Sequence, residues 1–154
     1  MNLKIHSLRL VTLALLCGPF LAAQPADDTQ LKQVIIFGRH GVRSPVLPNS
    51  ALNFFSAALY PTFTDTSGNT LDPAVITPHG GTIETLLGGY FHLWLKQEGL
   101  LTGNDSADAN FVYFRATDTP LITDTAKFFW TGLLPAGGLP NINVVPATTP
   151  CSIP

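Results

Sequence analysis

Runs of apolar and polar residues along the chain predict an alternation of strands and helices. Residues 34–37 are continuously apolar, which indicates a strand over 31–37 that is buried on both faces, as in a parallel sheet. A second apolar run predicts a strand over 111–114, ending at Arg115. A third short strand is predicted over 143–145.

The longest predicted helix follows Thr77, which is a suitable N-cap with Pro78 at the first helical position. We expect it to end at Gly99. Gly88 and Gly89 each cost about 1 kcal/mol of helix stability relative to alanine, so close packing against another element is expected there. The apolar residues spaced by three and four form one stripe that is expected to face the core: Ile83, Leu86, Leu87, Tyr90, Phe91 and Trp94.

Two further helices complete the pattern. A short one is predicted over 50–59, stopped by the proline that follows. The other is capped by Asp118 or Thr119, has Pro120 in its first turn and runs to about Leu133. Because helices alternate with strands, the sequence predicts an α/β fold with parallel strand pairing and helical crossovers.

The first 23 residues have the pattern of an export signal. Lys4 and Arg9 form a basic start, and the apolar run over 10–23 is too short to cross a bilayer comfortably. We therefore predict a signal peptide over 1–23, a mature segment over 24–154 that is the N-terminal part of a domain, and a periplasmic or secreted location. The alternative is a buried N-terminal helix.

Charge and cysteine content narrow the possible functions. The chain is 45% hydrophobic and 12% charged, with a formal net charge of −2. It has no basic run, which argues against a nucleic-acid partner. Cys17 would leave with the signal, so Cys151 would remain as a single cysteine in an exported protein, and its pairing stays open.

The few basic residues gather at the predicted strand ends. Arg39, His40 and Arg43 follow the first strand, and Arg115 ends the second. Ligands of open parallel sheets bind beyond the carboxyl ends of the strands, so these four side chains are expected to converge. Guanidinium groups suit a forked grip on a phosphate dianion.

A histidine among arginines has one clear chemical use. Positive neighbours disfavour adding a proton to the ring, and a neutral imidazole has a lone pair that can attack phosphorus. The alternative is that His40 and its neighbouring arginines are merely a solvated turn at the end of a strand. Spacing alone leaves both interpretations open.

The residues themselves resemble a known family. Residues 39–45, RHGVRSP, resemble the R-H-G-x-R-x-P signature of the histidine acid phosphatases, a branch of the histidine phosphatase superfamily with phytase-like members. Three further segments match in the family's order: 76–80 its L-T-P-x-G segment, 114–118 its R-[AS]-T-D strand end, and 131–135 its G-L-x-P segment. The resemblance covers roughly residues 32–135.

The resemblance implies an acid phosphatase that acts on small phosphomonoesters without a metal or another cofactor. It implies that His40 is the nucleophile that forms a phosphohistidine, and that Arg39 and Arg43 bind the phosphate. It also implies a three-layer core like that of phosphoglycerate mutase, of which only the N-terminal part is present here. Arg115 is a further candidate phosphate ligand.

Two departures from the family keep other hypotheses open. The family has an arginine six residues after the position of Arg115, where this chain has Leu121, and no His-Asp pair occurs to supply the leaving-group acid. One alternative is therefore a non-catalytic relative that binds phosphate esters, and another is an inactive truncated piece. His79 and His92 are expected to play no part in catalysis, with His92 facing solvent.

Overall fold

The computed structural model describes residues 29–148. The chain divides into a short unit over 1–30 and a second unit from Leu31 onwards, and every helix and strand of the described residues lies in the second unit. The predicted signal peptide over 1–23 and Cys151 lie outside the described residues.

Four helices and two strands make up the regular structure of the described residues. Helix α1 is Asn49–Leu52 and continues into a 3₁₀ turn, Asn53–Phe55. The other helices are α2, Pro78–Gln97; α3, Asp105–Asp108; and α4, Pro120–Leu133. The strands are β1, Phe114–Thr117, and β2, Ile142–Val145. Strands β1 and β2 pair in parallel, with Phe114 opposite Ile142 and Thr117 opposite Val145. Helix α4 connects them, which confirms the predicted parallel pairing with a helical crossover.

Helix α2 begins and ends where the sequence predicts. The Thr77 side chain accepts a hydrogen bond of 3.0 Å from the Gly80 amide, and Pro78 occupies the first helical position. At the other end, the helix stops at Gln97 and Gly99 adopts a φ of +75°, a conformation that glycine takes without steric cost. Local sequence is therefore sufficient to set both ends.

Glycines allow α2 and α4 to approach closely. A Cβ atom added to Gly88 would collide with the carbonyl oxygen of Phe129, and one added to Gly132 would collide with that of Thr85. The expected close packing is thus confirmed at Gly88. Gly89 also lies against α4, since its nitrogen would be 2.7 Å from a Cβ on Gly132, but a Cβ on Gly89 itself would meet only the Gly132 oxygen at 4.0 Å, so the contact does not require glycine there.

The predicted apolar stripe of α2 faces the core only in part. Phe91 and Trp94 are partly buried and pack against the apolar cluster, whereas Leu86 is 69% exposed and Tyr90 is 62% exposed. The buried positions of this helix are Gly80, Gly81, Gly88 and Leu95. The prediction fails for the exposed positions because the close backbone contact with α4 is made through glycines. The buried apolar cluster comprises Leu95, Leu101, Trp130, Leu133 and Leu134.

The first predicted strand is absent from the described residues. Residues 31–40 form no strand, and Ile35 and Phe37 are 65% and 82% exposed. A strand requires a neighbour that satisfies its backbone groups, and no described segment pairs with this one. The prediction of a strand buried on both faces is therefore wrong for the described part of the chain, in which Val34 is only partly buried and residues 35–37 are exposed.

Two other boundaries also differ from prediction. Strand β1 starts at Phe114 and not at 111, because Phe111 is still part of the turn after α3, with its amide bonded to the Asp108 oxygen at 2.9 Å. The helix predicted over 50–59 is shorter, because the Asn53 side chain accepts the Tyr60 amide at 2.8 Å and turns the chain. Within residues 29–148, no helix has both the length and the apolar character needed to cross a bilayer.

Candidate active site

The loop that carries Arg39, His40 and Arg43 is held by main-chain contacts to the segment before α2. The Val42 oxygen accepts hydrogen bonds from the Thr77 amide at 2.9 Å and the Thr77 hydroxyl at 3.1 Å. Arg43 and Ile76 form an isolated antiparallel bridge. Gly80 is essential to this contact, because a Cβ there would collide with the Val42 oxygen. The same threonine therefore caps α2 and fixes the loop.

Ser44 attaches the loop to the turn that precedes this segment. Its hydroxyl donates to the Asp72 oxygen at 2.6 Å and accepts from the Val75 amide at 3.0 Å. Its own amide donates to the Val75 oxygen at 2.8 Å. Because the residue is buried and fully bonded, it has a structural role, in agreement with its lack of a nucleophile motif.

A third attachment joins the loop to α4. The Gly41 amide donates to the Thr125 hydroxyl oxygen at 3.1 Å, and this hydroxyl donates to the Leu121 oxygen at 2.7 Å. The chain of bonds ties the histidine loop to the first turns of the helix that follows β1. Leu121, which occupies the position of the family's arginine, is thus one helical turn from the residue that holds the loop.

The hydrogen bonds of His40 define the state of its ring. Nδ1 lies 2.9 Å from the Gly41 oxygen, and since a carbonyl only accepts, Nδ1 carries the proton. Nε2 then has a lone pair, and Arg43 Nε donates to it at 3.4 Å. The arrangement matches a neutral imidazole whose Nε2 is available for attack.

The predicted cationic residues are only partly brought together. Arg43 contacts His40 directly and is further held by a bond of 2.9 Å from Nη1 to the Ser44 oxygen. Arg39 is exposed beside the histidine. Arg115 is an exposed residue within β1, opposite Asn143, while the adjacent Ala116 is buried. A shared pocket between Arg115 and His40 therefore stays a prediction.

Sequence reasoning missed two residues that contact the loop, Thr125 and Glu84. A Cβ added to Gly41 would lie 3.0 Å from both Cγ and Oε1 of Glu84, so the carboxyl group packs directly on this glycine. Burial raises the pKa of Glu84 above its ordinary value of 4.5. The sequence offered one weak sign of each contact with the loop. Glu84 lies on α2 one turn beyond the residues that cap this helix, and Thr125 follows Leu121 by one turn of α4.

The expectation that His92 faces solvent is wrong. Its Nδ1 donates to the Leu133 oxygen at 2.8 Å and lies 3.9 Å from Asp105 Oδ1, with 19% of the side chain exposed. The buried carboxylate of Asp105 in turn accepts the Ala136 amide at 2.8 Å. The histidine therefore fixes the end of α4, while His79 is exposed.

Two curated relatives are similar to most of the chain. Glucose-1-phosphatase from Salmonella typhimurium is 31% identical over 127 residues, which is 82% of this chain and 29% of that protein. Phytase AppA from Escherichia coli is 28% identical over 113 residues, or 73% of this chain and 25% of that protein. The chain thus spans less than a third of the length of either relative. None of the established protein-family profiles matches it.

Solved structures show the same fold. The phytase from Citrobacter braakii superimposes with a TM-score of 0.57 at 24% identity, over 68% of this chain and 25% of that one. The Hafnia alvei phytase in complex with myo-inositol hexakis sulphate gives a TM-score of 0.56 at 26% identity, over 69% of this chain and 24% of that one. The α/β fold of this region is therefore the phytase-like one. The similarity to these relatives, the shared fold and the four motifs in the family's order show that the chain belongs to the histidine acid phosphatase family.

Proposed function

We propose that the protein hydrolyses small phosphomonoesters through a phosphohistidine formed on His40. The observation that carries this proposal is the state of the ring: Nδ1 donates to the Gly41 oxygen at 2.9 Å, so the lone pair is on Nε2. A nucleophile that is oriented by its own backbone loses little entropy on reaching the reactive geometry. The relatives named glucose-1-phosphatase and phytase support the reaction class.

The reaction takes place in two displacements. Nε2 of His40 attacks phosphorus, the P–N bond forms as the ester P–O bond breaks, and the departing alkoxide takes a proton. Water then attacks phosphorus, the P–N bond breaks, and inorganic phosphate leaves the regenerated imidazole. The hydrogen bond from Nδ1 to Gly41 stabilises the positive charge that the ring acquires in the intermediate.

Arginines supply the charge neutralisation. The contact of 3.4 Å between Arg43 Nε and His40 Nε2 supports a role for this guanidinium in binding the phosphoryl oxygens. We assign Arg39 and Arg115 to the same phosphate. Because Leu121 replaces the family's arginine, Arg115 is the residue that would supply the third guanidinium. No proton donor is assigned, since no His-Asp pair occurs in the sequence.

We also propose that the protein is exported, on the basis of the signal pattern over 1–23. The purified protein should then begin at Gln24. Amino-terminal sequencing of the protein recovered from the periplasm or the medium tests this, and an intact Met1 there would contradict it.

The catalytic proposal is tested with the protein expressed from its complete coding sequence. Wild type should hydrolyse p-nitrophenyl phosphate and, on quenching in alkaline detergent, retain labelled phosphate that is stable in alkali and is released by later acid treatment. His40→Ala should lose both properties, and His79→Ala, an exposed histidine on α2, should keep both. Phosphate binding without a covalent adduct would instead identify a non-catalytic binder, and unchanged turnover in His40→Ala would remove this residue from the mechanism.

A further inference from the structure

Glu84 is an acidic side chain packed against a loop that is otherwise basic. Its Cγ and Oε1 lie 3.0 Å from the position that a Cβ on Gly41 would occupy. Gly41 is itself fixed, since its amide is bound to Thr125 and its oxygen to His40 Nδ1. The carboxyl group therefore touches the backbone unit that orients the proposed nucleophile.

Nothing described in the structure compensates a negative charge on Glu84. Neither Arg39 nor Arg43 forms an ion pair with it within residues 29–148, and no hydrogen bond to its carboxyl group is found there. Burial raises the pKa of Glu84, because water solvates its ionised form less well than in the unfolded chain. An ionised carboxylate at this place opposes the attraction that the loop arginines exert on an anion.

Other charged groups near Glu84 are few. The charged side chains and histidines on the elements packed around it are Arg39, His40 and Arg43 in the loop, Asp72 in the segment before α2, His79, His92 and Lys96 on α2, and Asp124 and Lys127 on α4; His92 and Lys96 lie two turns or more beyond Glu84 along α2. Asp124 and Lys127 pair with each other at 2.8 Å, and His79 and Asp72 are exposed. Glu84 is thus the acid that directly contacts the loop.

We propose that the Glu84 carboxyl group, packed against Gly41, restricts anion binding at the His40 loop to acidic solution. The neutral acid leaves the positive potential of the loop intact, and the carboxylate cancels part of it. The inference rests on the proposed phosphate site. It adds Glu84 as a residue that sets the pH range of anion binding at that site, through its contact with the loop.

The test uses sulfate, whose charge stays at two between about pH 4 and about pH 7.5, so that the ligand itself does not titrate. Sulfate affinity is measured by calorimetry across this range for wild type and Glu84→Gln in the protein from its complete coding sequence. All other groups are common to the two proteins, so the ratio of the two dissociation constants isolates Glu84. We expect a ratio near one at the acidic end and a wild-type affinity roughly fivefold weaker than that of the variant at the neutral end.

Matched variants make the outcome unambiguous. Glu98→Gln, at the exposed C-terminal end of the same helix, should track wild type at every pH. Glu84→Ala repeats the comparison if Glu84→Gln fails to give a cooperative melt. A ratio that stays flat while wild type binds sulfate overturns the role of Glu84 alone. If no protein binds sulfate at any pH, the phosphate site itself is wrong and this inference is overturned with it.

Discussion

The backbone amide of Gly41 donates a hydrogen bond of 3.1 Å to the Thr125 hydroxyl, across 84 positions of sequence. This bond joins the loop of the proposed nucleophile to the helix that follows β1. It is buried, so its loss would leave an amide without a partner and without access to water.

Replacing Thr125 tests how much the loop depends on this bond. Thr125→Val keeps the shape of the side chain but removes the acceptor, and we expect a loss of about 2 kcal/mol in the free energy of unfolding. The turnover of p-nitrophenyl phosphate should fall as well, because His40 is oriented through Gly41. Urea denaturation and steady-state kinetics measure the two effects. Thr125→Ser retains the hydroxyl and should restore most of both; equal losses in the two variants would argue against the hydrogen bond.

The assignment of Arg115 to the phosphate site can be tested by truncation. Arg115→Ala should weaken competitive inhibition by inorganic phosphate about tenfold, since a charge-assisted hydrogen bond contributes about 1.5 kcal/mol or more. Lys127→Ala is the control, because it removes an exposed positive charge that pairs with Asp124 on α4. If both variants bind phosphate as wild type does, Arg115 lies outside the pocket.

Neighbouring glycines in α2 should respond in opposite ways to the same change. Gly88→Ala places a methyl group against the Phe129 oxygen and should destabilise the protein by about 2 kcal/mol. Gly89→Ala meets only the Gly132 oxygen at 4.0 Å and should stabilise it by up to about 1 kcal/mol through helix propensity. Thermal melts of the two variants provide the comparison, in which similar shifts would contradict the described packing of α2 on α4.

Asp108 should make stability depend on acid. It is fully buried, which opposes ionisation, but the amides of Thr102 and Gly103 at 3.0 Å and the Thr102 hydroxyl at 2.8 Å more than offset this and hold the pKa of Asp108 below its ordinary 3.8. A depressed pKa stabilises the folded state above the ordinary value, and this stabilisation is lost as the pH falls through the folded-state value.

The corresponding variant is Asp108→Asn. Its Tm at neutral pH should be lower by about 5 °C, because an amide nitrogen then faces backbone donors. The difference from wild type should shrink as the pH falls below the ordinary value of 3.8 and through the lowered pKa of Asp108. Asp124→Asn, which removes only an exposed ion pair with Lys127, should change Tm little. A gap between Asp108→Asn and wild type that is constant with pH would contradict the ionised buried carboxylate.

Features governed by neighbouring residues were predictable from the sequence. Thr77 with Pro78 starts α2, Gly99 follows its end, and Pro120 opens α4, because capping and the fixed φ of proline act over a few residues. The motif around His40 was equally visible, since the proposed nucleophile and Arg43 lie three positions apart. Parallel pairing of β1 and β2 followed from a helix between two strands.

Contacts between distant segments were decided only by the tertiary structure. The buried positions of α2 are mostly glycines, because the backbone contact with α4 excludes side chains, and of the stripe that periodicity predicted only Phe91 and Trp94 pack against the core. Thr125 of α4 and Glu84 of α2 both contact Gly41 of the loop. No local sequence pattern encodes the relative positions of these three segments. The sequence by itself thus determined which polar side chains the loop carries and where the main helices begin. The structure determined which residues hold the loop, because hydrogen bonding and packing between distant segments depend on how the whole chain folds.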